Sequence, residues 1–208
     1  VKWTRFLSYS LITLLFFHSA IAAHHIVNLS VQYKMVQYAG KFQKAIAVNN
    51  QIPAPTLHFK KGDRVTINVS NHLDKETAIH WHGLLVPWQM DGVLGVAQKG
   101  IPPGGVFRYE FTLEQDGTYW YHAHAELQEQ QGLYGAFVID PIHPTHYKYT
   151  KDYVIVLSDW SNTAPEQILA NLKKEGDYYS PKFPLQPSLV KFVRDYRSSS
   201  ADERQKIV

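Results

Sequence analysis

The chain has 208 residues, a formal net charge of +3, 19% charged residues and no cysteine. That length is enough for one domain with a real core and part of a second. The absence of cysteine excludes disulfides, zinc knuckles, thiol catalysis and the thiolate of a blue-copper electron-transfer centre. No basic stripe interleaved with aromatics supports nucleic-acid binding.

The first segment reads as an export signal. Lys2 and Arg5 form a basic start, Phe6–Phe17 is largely apolar, and Ala20-Ile21-Ala22 supplies an A-x-A cleavage site. The apolar run is short and interrupted for a membrane span. The expectation is therefore a signal peptide over 1–22, a periplasmic or secreted product, and no membrane span after cleavage. There is no twin-arginine pair, which points to export of an unfolded chain and metal loading outside the cytoplasm. Cleavage after Ala22 would leave Ala23-His24-His25 at the N-terminus, a set of nitrogens that suits square-planar Cu(II). The plainer reading is that the two histidines simply follow the cleavage site.

From His24 to about Asp140 the pattern predicts strands throughout. Ile26–Tyr33, Ala45–Val48, Arg64–Ser70, Phe107–Leu113, Thr118–His124 and Tyr134–Ile139 carry β-branched or alternating apolar residues. Turn residues separate them at Lys61-Gly62-Asp63, Asn71, Asp91-Gly92, Pro102-Pro103-Gly104-Gly105 and Asp116-Gly117. Short strands at this spacing predict an all-β antiparallel sandwich or barrel. Beyond Pro141 and Pro144 the run Tyr153–Leu157 reads as a strand buried on both faces. Ile168, Leu169 and Leu172 then have helical spacing, with Thr163 as candidate cap and Pro165 in the first turn. A second amphipathic stretch covers Leu189–Tyr196.

Two histidine pairs stand out, His80-Trp81-His82 and His122-Ala123-His124. Alternate residues of a strand share a face. His80 and His82 should therefore project together with Trp81 opposite. Trp120, His122 and His124 should share one face of their strand, and Tyr119, Tyr121 and Ala123 the other. If the two strands meet, four imidazoles converge on a site suited to copper, zinc, nickel or iron. The competing reading is two unrelated strand ends with chance spacing. Trp81, Trp120 and Tyr121 read as packing residues, and His58, His72, His143 and His146 as solvated ones. Asp91 precedes Gly92 and fits either a turn or a functional carboxylate.

The residues around these pairs narrow the choice. HWHGLLVPWQMDGV (His80–Val93), QKGIPPG (Gln98–Gly104), GTYWYHAH (Gly117–His124) and QGLYGAFVIDP (Gln131–Pro141) resemble the N-terminal cupredoxin domain of multicopper oxidases. PWQMDGV, QEQQGLYG and VLSDW resemble its periplasmic copper-resistance branch, and the likeness runs from about residue 24 to at least 180. The resemblance implies a cupredoxin-like Greek-key sandwich over 23–145, then the start of an incomplete second domain with short helices over 146–208. It implies His80 as a ligand of a type 2 copper, His82, His122 and His124 as ligands of a type 3 pair, and Asp91 as a carboxylate assisting proton delivery to O2. The implied reaction is oxidation of Cu(I) or phenolic compounds coupled to reduction of O2 to water, in copper resistance. Copper ions, O2 and a C-terminal domain with an H-C-H motif are the implied partners. That domain's cysteine, absent here, binds the type 1 copper. These residues alone hold half of the trinuclear ligand set, so the chain by itself is expected to be inactive. A stand-alone copper-buffering protein and one chain of a split oxidase are the alternatives.

Overall fold

Apolar and polar residues alternate from His24 onward, and the computed structural model turns that two-residue period into eight strands. It describes residues 22–143 and 147–174, with 176, 178, 179, 193 and 197. The strands are β1 (His24–Val36), β2 (Gln43–Val48), β3 (Ala54–Lys60), β4 (Arg64–Asn71), β5 (Ile79–His82), β6 (Val106–Thr112), β7 (Gly117–Ala123) and β8 (Tyr134–Asp140). One α-helix lies among the described residues, α1 (Pro165–Lys174). No described helix is long and apolar enough to cross a membrane.

The strands form two four-stranded sheets, ordered β2-β1-β4-β6 and β3-β8-β7-β5. β1 runs parallel to β4 and antiparallel to β2, while β3 runs parallel to β8. The core is the layer between the sheets. Leu29, Val31, Ile67, Val69, Tyr109 and Phe111 enter it from the first sheet, and Phe59, Trp81, Tyr121 and Phe137 from the second. Trp81 is fully buried, with Tyr109, Phe111, Tyr121 and Phe137 around it at ring separations of 5.1–5.9 Å. An indole at that position contributes about 3–5 kcal/mol through contacts that truncation would lose.

The turn after β3 also fixes where β1 begins. Gly62 has a φ of +92°, and Asp63 accepts hydrogen bonds from the amides of Lys60 (2.9 Å) and Ala23 (3.0 Å). The His25 ring lies 3.0 Å from the same carboxylate. Burial pushes the Asp63 carboxyl upward, but these bonds outweigh it and hold the group below the usual range. His24 contacts the Thr66 hydroxyl at 2.8 Å, and both histidines lie in the parallel ladder with β4. The Ala23 amide and both histidine rings are thus bonded within the fold.

Four sequence expectations need correction or completion. β3 is missing from the predicted set, and it carries a proline, Pro55, within it. It forms because it is an edge strand with an irregular register between Ala54 and Leu57, where a proline is tolerated. The run predicted as a buried strand, Tyr153–Leu157, pairs with no described strand and is largely exposed, with Ile155 at 79% and Leu157 at 90%. No described strand is hydrogen-bonded to it, so its backbone forms no ladder there. α1 follows the predicted spacing, but Ala164 rather than Thr163 accepts the first amide bonds, from Gln167 (3.0 Å) and Ile168 (3.1 Å). His58 is exposed as expected, yet it pairs with Asp140 at 3.0 Å. His72 and His143 are exposed. His146 and most of the Leu189–Tyr196 stretch lie outside the described residues.

Residues 154–159 cross the outer face of the second sheet. With Trp120, Glu129, Tyr134 and Ala136 they enclose a cavity of about 410 Å³. The chain beyond is tied to the start of β2 through Trp160 to Gln43 (3.0 Å), and to the β1–β2 connection through Asn162 to the Ala39 carbonyl (2.7 Å).

Candidate metal centre

β5 and β7 pair antiparallel, and the register sets His80 opposite His122 and His82 opposite Trp120. The two-residue period does the rest. Trp81 and Tyr121 enter the core, while His80, His82, Trp120 and His122 stand together on the outer face. One ring nitrogen from each of His80, His82 and His122 lies within 4.8 Å of the others. His82 Nδ1 and His122 Nε2 face each other at 3.2 Å. Trp120 stacks against both rings, 4.9 Å from His82 and 4.2 Å from His122.

The other ring nitrogens of His80 and His122 are held from outside. His80 Nδ1 donates to the Asp91 carbonyl at 2.8 Å and lies 3.4 Å from the Asp91 carboxylate. His122 Nδ1 donates to the Ala123 carbonyl at 3.0 Å and meets the Glu129 carboxylate at 2.8 Å. With Nδ1–H committed, each ring turns Nε2 inward as a lone pair. Burial, aided by the charges of His80 and His82, holds His122 below the ordinary histidine range against the opposing pull of Glu129 and the Ala123 carbonyl. A neutral imidazole is the form that binds a metal. Three imidazole nitrogens converging on one point, two of their rings tied back by their other nitrogen, form a donor set that fits copper.

Backbone placement rests on residues with no obvious signal in the sequence. The buried Tyr109 hydroxyl accepts the Ile79 amide at 3.1 Å and is itself bonded by Gln98 at 2.9 Å, which anchors the start of β5. Burial pushes its phenol up to about 12, so it stays protonated. The 3-10 turn Trp88–Met90 ends at Asp91 and brings it to His80. Gly92, at a φ of +81°, runs so close to β5 that a Cβ would sit 1.8 Å from the Ile79 carbonyl oxygen. The Asp-Gly pair is therefore a turn and a histidine holder together. Of the predicted ligands, His124 is the one outside the close trio. It lies just past β7, exposed, with its ring 5.5 Å from His80 and 6.3 Å from His122. Glu129 was not anticipated, because one acid in the loop Glu126–Gln131 carries no period or spacing to mark it.

Two stacked sheets with a histidine cluster on the outer face of one define a cupredoxin-like, metal-binding β-sandwich. Comparison with known proteins places it further. Residues 30–144 match the multicopper oxidase family, and the chain belongs to that family, whose members use copper. It is 45% identical over 153 residues to copper resistance protein A of Pseudomonas syringae pv. tomato, covering 74% of this chain and 25% of that one. It is 41% identical over 168 residues to copper resistance protein A of Escherichia coli, covering 81% and 27%. Among solved structures it resembles a multicopper oxidase from Pseudomonas thermotolerans, with a TM-score of 0.58 and 33% identity over 62% of this chain and 32% of that one. It also resembles Fet3p, described as a multicopper oxidase that functions in iron import, with a TM-score of 0.59 and 30% identity over 79% and 31%. The chain spans about a quarter of the length of the copper resistance proteins it matches.

Proposed function

We propose that this chain supplies the first half of a trinuclear copper site in an oxidase of copper tolerance, exported to the periplasm behind residues 1–22. His80 is the type 2 ligand, and His82, His122 and His124 are type 3 ligands. The observation that carries the reading is the trio of ring nitrogens within 4.8 Å, with His80 and His122 fixed by outer partners. The bound copper atoms would supply one-electron chemistry and an open position for O2. The chain's own residues hold, orient and protonate. Trp120 keeps the His82 and His122 rings parallel to it, Tyr109 fixes the strand that bears His80, and Asp91 stands 3.4 Å from His80 Nδ1 to pass protons toward oxygen. His82 and His124 are exposed on that face, which supports further ligands arriving from another part of the oxidase. A type 1 copper thiolate must come from elsewhere, since this chain has no cysteine.

The overall reaction is removal of four electrons from Cu(I) or phenolic compounds and their transfer, with four protons, to O2 to give two waters. The test is Cu(II) titration of the 208-residue chain beside its His80→Ala and His122→Ala variants, with O2 consumption on a phenol measured in parallel. The reading predicts copper uptake by the parent, loss in both variants and no turnover. Equal uptake by all three would reject the ligands, and turnover by this chain alone would reject the half-site.

A further inference from the structure

We propose that the cavity beneath residues 154–159 binds a small organic cation with a flat apolar body, independently of any copper. The strand register builds its floor. On the outer face of the second sheet Trp120 lies opposite Ala136, and Tyr134 is the next outward-facing residue of β8. Ala136 and Thr118, which also line the cavity, are too small to fill the space beside the two rings. Residues 154–159 pass over this hollow, with Val154 and Val156 more sheltered than Ile155 and Leu157. The bonds from Trp160 to Gln43 and from Asn162 to the Ala39 carbonyl tie down the chain that follows. The enclosed volume of about 410 Å³ falls in the range of small-molecule sites, roughly 300–1,000 Å³.

The lining selects charge as well as shape. Glu129 and Asp159 bring two carboxylates to it, and no Lys or Arg is among the lining residues. Asp159 forms no ion pair among the described residues, whereas Glu129 meets His122 Nδ1 at 2.8 Å. A cation entering here is attracted by both carboxylates and by the Trp120 indole, the aromatic ring that draws cations most strongly. Its apolar body packs against Trp120, Tyr134, Val154 and Val156. An anion of the same shape meets only repulsion from the two acids.

Three probes that share a benzene ring on a two-carbon arm isolate the charge: phenethylammonium, 2-phenylethanol and 3-phenylpropionate. Each is titrated into the copper-free 208-residue chain, with the Trp120 indole 15N–1H signal as the local readout. The proposal predicts that phenethylammonium shifts this signal and binds about 3–30-fold more tightly than the alcohol, and that the carboxylate binds most weakly. The preference should shrink at high salt. Asp159→Asn should weaken the cation about 2–5-fold without weakening the alcohol. Ala136→Phe, whose ring would occupy the cavity, should abolish binding of both. Asp159 is exposed, so its variant decides the matter even where Ala136→Phe does not fold. Equal affinity for the three probes, no binding of the cation, or a cation preference unchanged in Asp159→Asn would overturn the proposal. None of these outcomes bears on copper uptake at His80, His82 and His122.

Discussion

Gly92→Ala tests how the Asp-Gly turn aims His80. At a φ of +81° an alanine carries left-handed strain of about 1–2 kcal/mol. Its Cβ would lie 1.8 Å from the Ile79 carbonyl oxygen. A normal carbon–oxygen contact needs about 3.3 Å, so the turn or β5 must move by about 1.5 Å. The contact is with backbone, so no side-chain rotation relieves it. A shift of that size exceeds the tolerance of the 2.8 Å bond from His80 Nδ1 to the Asp91 carbonyl. We expect a stability loss of about 2–4 kcal/mol together with release of the His80 ring. Urea unfolding gives the first quantity, and the 15N shifts of His80 in the copper-free chain give the second. A variant within about 0.5 kcal/mol of the parent, with its His80 tautomer unchanged, would refute the role assigned to the turn.

Other perturbations separate core, site and surface. Trp81→Ala should cost about 3–5 kcal/mol in denaturant unfolding, because the indole fills the centre of the core. Trp120→Ala, which removes a half-buried ring stacked on two imidazoles, should weaken Cu(II) binding in titration far more than it lowers the unfolding midpoint. Asp63 has a folded-state pKa below its ordinary value, so its contribution is complete above about pH 4 and is lost as pH falls through the lowered value. Asp63→Asn should accordingly destabilise at neutral pH by an amount that shrinks toward pH 2, as read from urea unfolding across that range. Leu157→Glu should leave the unfolding midpoint unchanged, since the side chain is 90% exposed, and should reduce light scattering from association.

Much of the sandwich was legible because its strands have one wet face and one dry one, so the two-residue period is printed in the residues themselves. β5 and β7 were readable for the same reason: Trp81 and Tyr121 mark the core face, and His80, His82 and His122 the other. β3 was not legible: it contains Pro55, whose acceptability depends on being at a sheet edge, a tertiary fact. The run at 153–157 shows the opposite failure. Continuous apolar residues state a demand for burial, but they do not say whether the described chain contains the surface that meets it. At the site, the ligand spacing was visible, whereas the holders were not. Tyr109 reaches Ile79 across the sandwich, and Glu129 reaches His122 from a loop, so neither contact follows a local period. Gly92 was read as a turn residue; its close approach to Ile79 appears only once β5 is in place.

The most direct test of the account is anomalous diffraction at the copper edge from crystals of the copper-loaded chain. The account predicts a copper peak on the outer face of β5 and β7, about 2.0 Å from His82 Nδ1 and His122 Nε2 and beside Trp120. Copper found at His24 and His25, or at no point within reach of His80, His82 and His122, would contradict it.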